Sequence, residues 1–300
     1  MTENRKYTSR WGENDQRGNT NLLTPEHTLR VLKSVSQGRV LDMSHELKVG
    51  HPALHPFISD YQFGMWSNAD SSRRIAKEHL DAKNDPGVFT ERVSLCMHTG
   101  THVDALGHFT LGDEMFNGWD YRTSTNNWGL ERLGIEQMPP MITRGVVLDV
   151  SGKDRGDFLD GGAVVTKKDL QDACRKAKIE IEPGDVVMIR TGWGRFFMEN
   201  NQRYTESEPG IDEEAAHWLT GQDVCAIGAD TMAVEVLPNP DRRLVFPVHQ
   251  HTLAEAGVHL IENLAFDEVV RAGISTFCFV LLPVKFTGAT GCPVRPVAIF

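Results

Sequence analysis

The stretch His98-Thr-Gly-Thr-His-Val-Asp-Ala-Leu-Gly-His-Phe109 constrains this chain more than any other. Three histidines and an aspartate, His98, His102, Asp104 and His108, are separated by small residues and two glycines. Imidazole nitrogen and carboxylate oxygen form the usual ligand set of divalent Zn, Mn or Fe. On a helix His98 and His102 share a face, but Asp104 points well away from them. On a flat strand all three share a face, yet His98 and His102 then stand roughly 13 Å apart, too far for one ion. Gly100, between two threonines, resolves the conflict, because glycine accepts φ above zero and lets the chain bend. The segment therefore reads as a kinked strand end or loop. The alternative is that these are ordinary hydrogen-bonding histidines, which is harder to sustain for four clustered donors.

Three hundred residues, with 40% hydrophobic, suffice for a large core; they allow either two domains or one. We expect one domain over residues 1–300, with an N-terminal arm and helix over 1–38. The net charge of −10 argues against a nucleic-acid or anionic-membrane partner. The opening, Met1 to Tyr7, is polar and unlike a secretion leader, and no apolar run approaches the 18 or so residues of a membrane span. Cys96, Cys174, Cys225, Cys278 and Cys292 are scattered without Cys-x-x-Cys spacing. They read as buried thiols of a reduced cytoplasm, neither disulfides nor ligands.

Arg10 to Asn21 is polar and glycine-punctuated, hence loop. A helix should start at Pro25, capped by Thr24, and run to about Ser36. Residues 39–47 alternate like a half-buried strand. Residues 49–66 read as an irregular segment whose aromatics either line a pocket or cover the core. Phe57, Phe63 and Trp66 are its candidate contacts to an apolar substrate, while His51 and His55, beside prolines, read as turn residues. Val93, Leu95 and Met97 should form a strand leading directly into the histidine segment, a rigid mount for ligands. A short helix is expected over 126–137, strands over 145–150, 224–228 and 276–284, and a turn and strand over 183–193. Helices should cover 166–177, with Thr166 and Asp169 as a capping box, and 212–220. Short strands interleaved with helices, without strict βαβ alternation, indicate an α/β fold whose mixed sheet is curled into a barrel-like core with flanking helices. No Gly-x-Gly-x-x-Gly or P-loop pattern supports nucleotide binding, and no Gly-x-Ser-x-Gly elbow competes as a nucleophile.

A second cluster, Pro247-Val-His249-Gln250-His251-Thr-Leu-Ala-Glu255-Ala-Gly257-Val-His259-Leu-Ile-Glu262-Asn263-Leu264, again mixes histidines and carboxylates. Glu255 and His259 read as a solvated helix face. His-x-Gly-Thr-His-x-Asp-x-x-x-His-Phe resembles the signature of the metal-dependent cyclase family, which includes bacterial kynurenine formamidases and isatin hydrolases. The likeness extends from about Arg10 to Leu264, through the Arg10-Trp-Gly opening of the longer members and the Glu-Asn-Leu at 262–264. It implies that His98, His102 and Asp104 are metal ligands, completed from the second cluster. The family's histidine falls on Gln250 by one register and on His249 by another. A glutamine ligand resembles the single-ion isatin hydrolase type; a histidine favours two ions sharing Asp104. The expected choice is Gln250 with one ion, Mn or Zn, leaving Glu262 to position substrate. Asp230 to Glu235 also resembles a family stretch and is assigned no chemistry. The resemblance further implies a homodimer or homotetramer, with the N-terminal opening at the subunit interface.

A divalent ion with an open position makes water nucleophilic near neutral pH. His108, six residues beyond His102, is expected as general base, not ligand, because the imidazole pKa suits that task. Metal-dependent hydrolysis of a small amide, cyclic amide or lactone follows, with a flat or apolar molecule as the partner. Dehydration or cyclisation of an enolisable substrate is the alternative within the family; a non-catalytic binding protein with a closed, structural metal is the alternative outside it.

Overall fold

A computed structural model of the chain describes residues 8–154 and 156–300. The polar opening Met1 to Tyr7 lies outside the described residues. Nine strands form the main sheet: β1 (Val40–Asp42), β2 (His102–Asp104), β3 (Met141–Asp149), β4 (Val186–Arg190), β5 (Ala226–Ala229), β6 (His259–Glu262), β7 (Thr276–Leu281), β8 (Gly291–Pro293) and β9 (Val297–Ile299). Their spatial order is β1-β9-β7-β3-β4-β5-β6-β2-β8. The central β3, β4, β5 and β6 run parallel, and every pair outside them is antiparallel. This is the expected mixed sheet, curled into a half-barrel with helices on its flanks.

Parallel strands are buried on both faces, and the core bears this out. Val146, Leu148, Val187 and Ile189 pack into one cluster with Leu170, Ala215 and Leu219. Their alternates Val147, Val186 and Met188 pack into the other with Phe277, Phe279 and Ile261. The helices on the first face are α3 (Lys167–Ala177) and α4 (Glu213–Thr220). Thr166 and Asp169 form the expected capping box on α3, and Asp212 caps α4. Near the N-terminus, α1 (Pro25–Lys33) starts under its Thr24 cap.

Three local expectations are corrected. Residues 126–137 are not helical: short strands at Thr125–Asn126 and Gly129–Leu130 precede a 3-10 turn at Ile135–Gln137. Gly129 explains this, since its φ of +128° is incompatible with a helix. Residues 62–67 are strand, paired antiparallel with Thr90–Ser94 across α2 (Ala69–Leu80). That hairpin ends before His98, so it does not mount the histidines; β2 does. His259 lies buried in β6 instead of on a solvated helix face. All five cysteines are free, as expected. Among the described residues no helix is long and apolar enough to cross a membrane.

Candidate metal centre

The site is built where β2 meets β6. His102 and Glu262 are direct partners in this register, as are Val103 and Ile261. Because side chains alternate along a strand, His102 and Asp104 emerge on one face, with Glu262 beside them. Gly100 turns the chain before β2 with φ +58°, as its position between the histidines demands. His98 thereby folds back until its Nδ1 lies 2.8 Å from Asp104 Oδ1, while its Nε2 meets the Thr290 hydroxyl at 2.9 Å. The bend thus sets both His98 and His102 against the Asp104 carboxylate, 2.8 and 3.5 Å from its Oδ1.

Backbone and buried side chains fix the ring orientations. His102 Nδ1 donates to the Gly100 carbonyl at 2.8 Å, turning Nε2 towards the carboxylates. Asn263 Nδ2 donates to the same carbonyl, and the Tyr204 hydroxyl in turn donates to Asn263 Oδ1. His259 Nδ1 donates to the Asp104 carbonyl. His249 enters from a helical turn that widens into a π-helical segment, Gln250–Ala256, a distortion often found at functional sites. Its Nδ1 donates to Glu235 Oε1 at 2.6 Å, and its Nε2 lies 3.1 Å from Glu262 Oε1 and 3.8 Å from Asp104 Oδ2.

Of the two residues weighed for this place, His249 faces the cluster, whereas Gln250 Nε2 donates to the Thr110 carbonyl. One turn of helix cannot present both neighbours to the same point. His251 points elsewhere, to Thr220 and Glu255. Glu262 lies inside the cluster. The His108 ring is stacked on that of His98, centroids 3.9 Å apart.

The charges of the cluster act strongly on one another. Burial alone would lower the pKa of His102, but the adjacent Glu262 and Asp104 carboxylates raise it. Burial likewise opposes charge on His249, yet hydrogen bonds to Glu235 and Glu262 push it up to about 10. Asp104, despite its burial, is held well below the usual carboxylate range by His108, His98 and His102. His108 differs: burial pulls it down to about 3, leaving the ring neutral. His102 Nε2, 3.1 Å from Glu262 Oε2, and Asp104 Oδ2 are buried without a hydrogen-bond partner. Orphaned buried donors and acceptors of this kind call for an explanation, and a divalent ion fits it. Two donor groups converge closely enough to hold one: His98, Asp104 and His108, and His102, Asp104 and Glu262. Asp104 belongs to both.

Above the cluster opens a cavity of about 310 Å³, lined by Leu54, Phe57, Ile58, His98, His108, Phe109, Met232, Ala233, Val245, Phe246, His249 and Glu262. Of the three aromatics expected at substrate, Phe57 is there. Phe63 and Trp66 are not, being 55% and 71% exposed on the hairpin. Phe63 stacks on Tyr61 and Trp66 lies under the Arg92 guanidinium. Phe109, Phe246 and Met232 line the cavity without having been anticipated. Glu235 was passed over too, although a carboxylate inside the apolar run Met232-Ala-Val-Glu235-Val-Leu is itself a signal of a buried partner. Thr290 and Asn263 carried no such signal.

The description of the matching family model is putative cyclase, and the match spans residues 41–236. The chain belongs to this cyclase family. Its relatives include a kynurenine formamidase of Bacillus cytotoxicus, 25% identical over 69% of this chain and 78% of that protein. Another is cyclase-like protein 2 of Oryza sativa subsp. japonica, 25% identical over 87% of this chain and 79% of the other. Among solved structures, one described as a novel cyclase superposes with a TM-score of 0.86 at 24% identity, covering 98% of this chain and 100% of that one. An isatin hydrolase bound to the product analogue thioisatinate superposes with a TM-score of 0.64 at 18% identity, over 94% and 98% of the two chains. These superpositions establish a shared fold.

Proposed function

We propose that the chain is a metal-dependent hydrolase that opens an amide, cyclic amide or lactone carbonyl. The observation that carries this reading is the buried His/Asp/Glu cluster at the floor of an apolar cavity, with unsatisfied donor atoms facing one another. The kynurenine formamidases among its relatives act as the family prior. His98, His102, Asp104, His249 and Glu262 would hold zinc or manganese, as one ion or as two sharing Asp104. A bound divalent ion supplies Lewis-acid activation of a carbonyl and of water at neutral pH.

The chain's own residues do the rest. His108, neutral and lining the cavity, would take a proton from the attacking water at its ring nitrogen, the Asp104 carboxylate offsetting the burial that disfavours its charged form, and return it to the leaving nitrogen or oxygen. Glu235 holds His249 in one tautomer. Phe109 and Phe246 exclude bulk water from the reacting carbonyl. Kept outside the ligand shell, His108 would be the spare base that distinguishes catalysis from a closed, structural site.

The test is hydrolysis of an N-formyl anilide, a cyclic amide and a lactone by chelator-stripped protein, before and after Zn or Mn is restored. Activity should return with metal and vanish in His108→Ala while metal content persists. Loss of metal from that variant would make His108 a ligand and remove the base. Stoichiometric metal uptake without turnover of any substrate would replace the hydrolase by a binding protein.

We also infer that copies of this chain assemble. Phe63, Met65, Trp66 and Val93 on the hairpin, and Phe89 just before its second strand, are all more than half exposed, and exposed apolar residues gathered on one element commonly mark an interaction site. Sedimentation should show an oligomer that Trp66→Glu weakens.

A further inference from the structure

The cavity that rises from the metal cluster has walls of one chemical kind. Leu54, Phe57, Ile58, Met232, Val245 and Phe246 line it, and among the described residues no Lys, Arg, Asn, Gln, Ser or Thr does. The polar lining groups among the described residues are His98, His108, His249 and Glu262, all engaged in the cluster or beside it. On the chain segments flanking the cavity Asp60 pairs with His55 and Asp241 with Arg243, and the exposed Arg242 lies outside the cavity lining. A substrate carboxylate or ammonium placed beside the reacting carbonyl would lose its hydration and gain no partner, a transfer that a site rejects strongly. An uncharged ring loses nothing there, and the edge-to-face contacts already present, Phe57 on Phe246 and Phe109 on Phe246, show how it would be held.

We infer that the site selects uncharged aromatic or bicyclic carbonyl compounds and discriminates against those carrying an ionised group near the scissile bond, including amides with an α-amino acid tail. This rests on the hydrolase reading above. The volume of about 310 Å³ lies at the small end for ligand pockets, in keeping with a one- or two-ring molecule.

Matched pairs test it on the metal-restored protein. Formanilide is compared with 2-formamidobenzoate and with an ortho-formamidophenyl ketone bearing an α-amino acid tail. In parallel, thermal shift compares the neutral lactam 2-indolinone with 2-formamidobenzoate. Formanilide should exceed both charged amides in kcat/KM by about 100-fold or more, and only 2-indolinone should raise Tm. Val245→Arg, at a position 67% exposed on the rim, should raise kcat/KM for 2-formamidobenzoate several-fold, as a new half-screened charge pair permits. Charged amides turned over within threefold of formanilide would overturn the inference. A Tm shift by 2-indolinone alone, with no turnover of any amide, would uphold the selectivity while removing the hydrolase beneath it. No shift and no turnover would end both.

Discussion

Glu235 Oε1 stands 2.6 Å from His249 Nδ1 and 3.0 Å from the His249 backbone nitrogen, so one carboxylate fixes both the place and the tautomer of that histidine. The Glu235 side chain is fully buried, and its second oxygen accepts from Val248 N at 3.3 Å. Outer partners of this kind typically affect metal affinity by 10–100-fold. Glu235→Gln should therefore weaken Zn or Mn binding by roughly that factor and leave the fold in place; isothermal titration with each metal measures it. Unchanged affinity would mean that His249 needs no such support.

Metal uptake should release protons. With His102 raised and His249 pushed up to about 10 in the metal-free chain, His249 carries a proton at neutral pH that a ligand must give up. A raised histidine pKa means that affinity climbs as pH rises through neutrality towards 10. Calorimetry in buffers of different ionisation enthalpy should find at least one proton released per ion at pH 7. A pH-independent affinity would contradict the charge state derived above.

Gly100→Ala should damage both stability and site. Its φ is +58°, and a methyl group there would meet Leu47 Cδ2 at 2.3 Å, within the flexible end of a side chain. The left-handed backbone costs on the order of 1 kcal/mol for alanine, and moving Leu47 adds to it. The expected result is a Tm lower by several degrees together with loss of metal, since His98 and His102 hang from this bend.

Stability should fall as pH drops from about 6.5 towards 4, through His45. Burial pulls this imidazole down to about 4, with Asp267 opposing weakly, and its ring lies stacked on Phe197, centroids 4.0 Å apart. A histidine depressed in the folded state is charged more readily when unfolded, so acid favours unfolding across that window. The loss is on the order of 3 kcal/mol at full extent. Denaturant melts of His45→Phe should be flatter over the same pH range than those of the parent.

The legible part of the site was that encoded by local spacing. Gly100 between two ligand-type residues demanded a positive φ, and the structure has one. Capping residues Thr24 and Thr166 marked helix starts because the side chain that makes the cap is next to the helix it caps. The choice between His249 and Gln250 was not legible, since it depends on the rotation of a turn set by Glu235, fourteen residues upstream in the chain. Phe63 and Trp66 were misplaced for a related reason: alternation in a short aromatic stretch does not reveal whether the strand it forms faces a pocket or open solvent. His259 looked like part of a helix face until the parallel pairing of β5 with β6 buried it.

The pairing of His102 with Glu262 joins chain segments 160 residues apart across the seam where the parallel strands give way to the antiparallel edge. A slip of one residue would turn Glu262 to the opposite side of the sheet and dismantle the cluster. Nascent or misaligned chains thus offer no complete set of donors, so an ion could be acquired only after the seam has closed correctly. Once there it would act as a clasp, and metal occupancy would become a gauge of correctly folded molecules.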